Sequence, residues 1–163
     1  MKMKYFMTMM IAAVAVMLGV CSCGDDDDDS EKALASKVVG SYAGEEILTV
    51  MGDDSNSPAT YVFAKASDTT VDLTLPGMSG EGAMSLPPMQ VKNIVLTKEG
   101  DVINGKIASY TGTVVNADGA EKSYTVSDLV ALFGKDIVVV TYTLKYGNMP
   151  FAFAGSFSGT KKK

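Results

Sequence analysis

Covalent chemistry at neutral pH needs a side chain that exchanges protons there, and this chain lacks the usual ones. It has no histidine and no tryptophan, and all of its basic residues are lysine. Without histidine there is no ordinary general base and no neutral imidazole for a metal, and without arginine no bidentate clamp for carboxylate or phosphate. A serine nucleophile would need an activating base, and no Ser-Lys arrangement is marked. Glu45 and Glu46 are adjacent; in a strand they point to opposite faces and cannot form the facing carboxylates of glycoside hydrolysis. An acid pair from distant positions stays open. Gly52-Asp53-Asp54-Ser55-Asn56 is rich in oxygen but lacks the spacing and terminal glutamate of a calcium loop, so it reads as a solvated turn. The chain therefore reads as a non-enzyme with no cofactor and no metal. Tyr42, Phe63, Tyr142 and Phe153 are the residues most able to line a binding pocket, offering apolar area and, in the tyrosines, a hydroxyl that wants a partner. Core packing is the competing role for all four.

Both cysteines, Cys21 and Cys23, lie near the N-terminus, so the rest of the chain has no disulfide framework and must hold together by its core alone. Lys2 and Lys4 precede an apolar run from Tyr5 to Val20, interrupted only by Thr8 and Gly19. That order is the order of a secretory leader. At about 16 residues the run is short for a span of the hydrocarbon core, which takes roughly 20. Leu18-Gly19-Val20-Cys21-Ser22-Cys23 resembles the bacterial lipobox, with aliphatic Val20 three residues before Cys23 and small Ser22 directly before it. Cys23 fits better than Cys21, which would follow β-branched Val20. The expectation is a signal peptide over residues 1–22, acylation at Cys23 and a tether over 23–36. A plain cleaved leader is the alternative. Asp25 to Asp29 follow Gly24; such carboxylates repel one another and keep a tether extended. The run resembles the acidic surface-export signal of Bacteroidetes lipoproteins, against the alternative of a mere spacer. What these resemblances imply is an outer membrane lipoprotein, held to the membrane by its acyl chains and displayed on the cell surface.

From residue 37 onward, short runs rich in Val, Ile, Thr, Tyr and Phe alternate with Gly, Asn, Asp and Pro clusters. About 140 residues remain once a leader is removed, enough for one domain with a real core. The net charge of −5, with scattered lysines, gives no footprint for nucleic acid. Lys161 to Lys163 read as a solvated tail. Eight strands are expected, over 38–51, 60–66, 69–75, 89–97, 102–115, 120–126, 136–146 and 151–160. Turns at 98–101, 116–119 and 147–150 have hairpin chemistry. Alternation puts Val138, Val140, Tyr142, Leu144 and Tyr146 on one inward face, as it does Val71, Leu73 and Leu75, and Phe151, Phe153 and Phe157. Only Ser127 to Gly134 reads as helical, with Ser127 as cap and Gly134 as terminator, two turns that could close one end of a barrel. Gly40, Gly44, Gly112, Gly155 and Gly159 read as barrel bends.

Val39-Gly40-Ser41-Tyr42-Ala43-Gly44, Asp72-Leu73-Thr74-Leu75-Pro76, Leu86-Pro87-Pro88-Met89 and Phe151-Ala152-Phe153-Ala154-Gly155-Ser156-Phe157 together resemble the calycin-like β-barrel domain of Bacteroidetes lipoproteins, over residues 37–160. The resemblance implies an all-β, eight-stranded, mostly antiparallel, lipocalin-related barrel, and no transferable activity. Gly40 and Tyr42 are also similar to the Gly-x-Trp of lipocalins, with tyrosine in place of tryptophan and no arginine to serve as its cation partner on the last strand. An eight-stranded barrel either holds one small ligand or is filled by its own side chains. Two functions follow. One is a module that binds a small apolar molecule or a glycan fragment. The other is a structural or interaction protein with a filled barrel whose outer surface or loops contact a partner, an unidentified protein or a polysaccharide.

Overall fold

A computed structural model describes residues 33–78 and 85–163; the leader, Cys23 and the Asp run lie outside the described residues. Eight strands follow in chain order: β1 (Gly40–Val50), β2 (Asp53–Lys65), β3 (Thr70–Leu75), β4 (Met89–Glu99), β5 (Val102–Val115), β6 (Glu121–Phe133), β7 (Ile137–Tyr146) and β8 (Phe153–Lys161). Each pairs antiparallel with its sequence neighbours, and β1 pairs with β8 from Tyr42↔Lys161 to Val50↔Phe153, which closes the barrel. Closure leaves the charge-poor last strand paired on both sides, and so removes the aggregation hazard of an open edge.

The alternation expected for β7 holds. Val138, Val140, Tyr142, Leu144 and Tyr146 are buried, whereas Ile137, Thr141 and Lys145 are exposed. Val71, Leu73 and Leu75 of β3 and Phe153 and Phe157 of β8 also face inward. Phe151 is half-buried and precedes β8.

Ser127 to Gly134 is not a helix. Ser127–Phe133 forms the second half of β6, and Gly134 opens the tight turn to β7, its N–H donating to Ile137 O at 2.9 Å. The reason is a bulge. Asp128 takes a left-handed φ of 53°, and the β6–β7 register shifts between Ser127 and Val130. One inserted residue moves the buried positions from Tyr124 and Val126 to Leu129, Ala131 and Phe133. The resulting step of three from Val126 to Leu129 imitates helical spacing.

The helix that does form, α1 (Leu34–Val38), precedes β1 and buries Leu34, Ala35 and Val38. It packs on β2, β3 and β4, and Ala35 N–H donates to Asp68 O at 3.0 Å. The expected solvated turn at 52–56 is also corrected. The chain reverses at Met51 and Gly52, with φ 51° and 95°, and Asp53 to Asn56 already belong to β2, opposite Val50 to Ile47. Their polar side chains disfavour a strand locally. A complete ladder to β1 overrides that preference.

Candidate functional site

The interior is built from aromatic rings supplied by five strands. Tyr42 of β1 meets Phe63 of β2 edge-to-face at 5.7 Å, and Phe63 meets Phe133 of β6 at 4.8 Å. Tyr61 of β2 stacks flat on Phe157 of β8, with centroids 3.9 Å apart and planes at 5°. Glycines make room for these rings rather than bends. A Cβ on Gly155 would overlap the Tyr142 ring, and one on Gly159 would overlap the Phe157 ring.

At the centre lies a polar cluster that sequence reasoning missed. Glu46 is 3% exposed. Its Oε1 accepts hydrogen bonds from Tyr61 Oη at 2.5 Å and Tyr142 Oη at 2.7 Å, and the two hydroxyls are 3.1 Å apart. Glu45 is exposed on the opposite face, as strand geometry demands. Burial, followed by the neighbouring Tyr142 and Glu46, pushes the Tyr61 hydroxyl far above its ordinary value. Burial and then Glu46 do the same for Tyr142. Both phenols therefore stay protonated and act as donors. The signal available in the sequence was the inward parity of Glu46, two residues from Leu48 and four from Tyr42. An apolar face carrying one carboxylate demands a donor elsewhere.

At the α1 end, Tyr42 Oη donates to Val38 O at 2.9 Å. Lys161 of β8 stands with Nζ 5.8 Å from the Tyr42 ring centroid and donates to Lys37 O at 3.3 Å. A last-strand cation is thus present, and it is lysine. Lys161 and Lys162 are not a solvated tail: Lys162 N–H donates to Ser41 O at 2.8 Å and its Nζ to Thr60 Oγ1 at 3.2 Å.

Tyr42, Phe63, Tyr142 and Phe153 all face the interior, each 5% exposed or less. Tyr42 and Phe63 touch. Tyr142 belongs to the Glu46 cluster, and Phe153 packs on Phe151 at 5.7 Å. None lines the cleft of about 470 Å³ between the β3–β4 connection and the β5–β6 turn, whose walls include Met78, Leu86, Pro88, Val115 and Ala117. Among the described residues no group of three or more acidic, cysteine or histidine side chains is placed to hold a metal.

No family model matches the chain, and no curated protein matches it. Among solved structures it is similar to a "putative outer membrane protein" from Bacteroides fragilis, with a TM-score of 0.63 and 20% identity over 80% of this chain and 53% of that one. The barrel is what the two share. The chain spans about half the length of that protein. A redesigned β barrel matches at a TM-score of 0.43 and 15% identity, over 79% of this chain and 95% of that one.

Proposed function

We propose that the chain is a lipid-anchored protein of the outer membrane, displayed at the cell surface, whose calycin-like barrel is a filled scaffold that makes contacts through its outer surface. The observation that carries this reading is the packing of the lumen. The four aromatics best suited to hold a ligand are engaged with neighbouring rings or with Glu46, and each is 5% exposed or less. A pocket for a drug-sized molecule takes several hundred cubic ångströms of concave space. A cleft of that order lies beside the β5–β6 turn, and none of the four lines it. The anchor is supported by the lipobox-like spacing before Cys23 and the Asp25 to Asp29 run after it. The Bacteroides fragilis neighbour, described as an outer membrane protein, is consistent with that compartment.

Mass spectrometry of the membrane-extracted protein tests the anchor. An N-terminus at Cys23 carrying acyl chains is expected, and Cys23→Ala should release the protein from membranes, since acyl chains contribute about 0.8 kcal/mol per buried methylene. An unmodified Cys23 would defeat the reading. Replacing Asp25 to Asp29 with alanine should keep acylation and abolish cleavage by protease added to intact cells. Equal cleavage of both versions would make the run a spacer.

A further inference from the structure

The strands run up and down, so successive chain reversals alternate between the two mouths of the barrel. One mouth carries α1, the β2–β3, β4–β5 and β6–β7 turns and the end of β8; the other carries the remaining four connections. Among the described residues, charge divides between them. At the α1 mouth Lys65 pairs with Asp68 at 2.6 Å, and Lys98 stands between Glu99 and Asp101 of the β4–β5 turn. What is left there is Lys37, Lys135 and Lys161 to Lys163 against Asp136, all exposed except half-buried Lys161. At the other mouth the balance is reversed, with Asp53, Asp54, Asp118 and Glu121 exposed against Lys122.

The three segments that carry the excess lysines are tied to one another. Lys161 N–H donates to Asp136 O at 2.8 Å, and its Nζ donates to Lys37 O at 3.3 Å. Lys162 is held to β2 by its Nζ on Thr60 Oγ1 at 3.2 Å. Like charges gathered in this way repel one another and gain by facing an anionic surface. The same mouth receives the chain from Cys23. Ten residues, 24–33, separate Cys23 from the start of α1 at Leu34, and even a fully extended chain of that length reaches no more than about 36 Å. A tether of that reach holds this mouth toward the membrane without fixing the tilt of the barrel.

We propose that the α1 mouth is a membrane-docking face, and that its partner is the plane of anionic lipid phosphates in the leaflet that holds the acyl chains. The lysines come from α1, the β6–β7 turn and the end of β8, and charges spread over a mouth meet a plane better than they meet a single strand of chain. Lysine binds phosphate as a point charge and needs no bidentate geometry, which suits a chain whose basic residues are all lysine. Basic segments beside a membrane anchor are drawn to anionic leaflets in this way, over a screening length of about 8 Å at physiological salt. Docking by this mouth turns the acidic mouth outward, with Met51 at its rim 84% exposed, and so makes that end the one that meets other molecules. The inference rests on the anchor at Cys23. The Asp25 to Asp29 run lies in the same stretch of chain and is the competing anion.

Timed acetylation of lysine amines, read by mass spectrometry, tests it on the full chain extracted from membranes. The protein is placed on vesicles of phosphatidylcholine alone or of phosphatidylcholine with about 30% phosphatidylglycerol. Lys37, Lys135 and Lys162 should react about threefold more slowly or less on the anionic vesicles, while Lys122 and Lys145 react equally on both. Protection should vanish in 1 M salt, where the screening length falls to about 3 Å. Lys37→Gln with Lys135→Gln should return Lys162 and Lys163 to their rates on phosphatidylcholine and leave the unfolding temperature unchanged. Equal rates on the two kinds of vesicle would overturn the proposal. Protection already present on phosphatidylcholine, and lost when Asp25 to Asp29 are replaced by alanine, would overturn it too and would assign the lysines to the tether. Acylation is read separately from the mass of the N-terminus: a chain without acyl groups that is still protected on added anionic vesicles supports the docking and defeats the anchor alone.

Discussion

Glu46 is the residue on which the interior turns. Two phenols hold its Oε1, and leaving a buried polar group without its partner costs about 1–3 kcal/mol. Tyr142→Phe, which keeps the ring and removes one donor, should cost about 1–3 kcal/mol in denaturant titration. Tyr142→Ala should cost roughly 3 kcal/mol or more, while Lys145→Ala on the exposed face of the same strand should cost less than about 0.5 kcal/mol. The pH dependence has a fixed sign. Tyr61 and Tyr142 are raised above the ordinary 10.0, so the folded state keeps protons that the unfolded chain gives up. Their contribution is fully present below pH 10 and is lost as pH rises beyond it. Stability should fall with pH above about 10, and the fall should be shallower for Tyr61→Phe with Tyr142→Phe. A profile unchanged by the pair would contradict the assignment.

At the scale of elements, the bulge in β6 explains what was legible in the sequence and what was not. Strands with unbroken alternation, β3 and β7, could be read to within a residue or two at either end, because period two survives wherever the ladder is regular. β6 could be read only up to the position where Asp128 interrupts its parity. A local pattern of spacings cannot separate an inserted residue from a helical turn. Asp53 to Asn56 went unread for a different reason: their place in β2 comes from pairing with β1 across the hairpin, a contact that local preference does not contain. For the site, the inward direction of Tyr42, Phe63, Tyr142 and Phe153 was legible. The partner of Glu46 was not, since Tyr142 lies far along the chain and meets it only after closure. The bulge itself can be tested. Asp128→Gly should leave stability unchanged or raise it by up to about 1 kcal/mol, since glycine takes positive φ at no steric cost. Asp128→Val should lower it by about 1–2 kcal/mol in the same titration.

At the scale of the whole molecule, ladder pairing is confined to chain neighbours except between β1 and β8. Seven hairpin contacts form locally; the barrel exists only when the eighth, long-range contact is made. Folding to a closed state should therefore wait on the docking of β8. Gly155→Ala, which would press a methyl group on the Tyr142 ring, should cost about 1–3 kcal/mol and should show mainly in the folding rate, where stopped-flow kinetics can separate it from a change in unfolding. The same closure places the two ends of the domain side by side, with Lys162 N–H on Ser41 O. A ring of strands whose ends already touch has no privileged starting point. The chain could be joined through a short linker from its last lysines to the residues before α1 and reopened at the Met51–Gly52 reversal, giving a circular permutant that begins with β2 and ends with β1. Such a permutant would keep every ladder and would carry its new termini at the opposite mouth of the barrel.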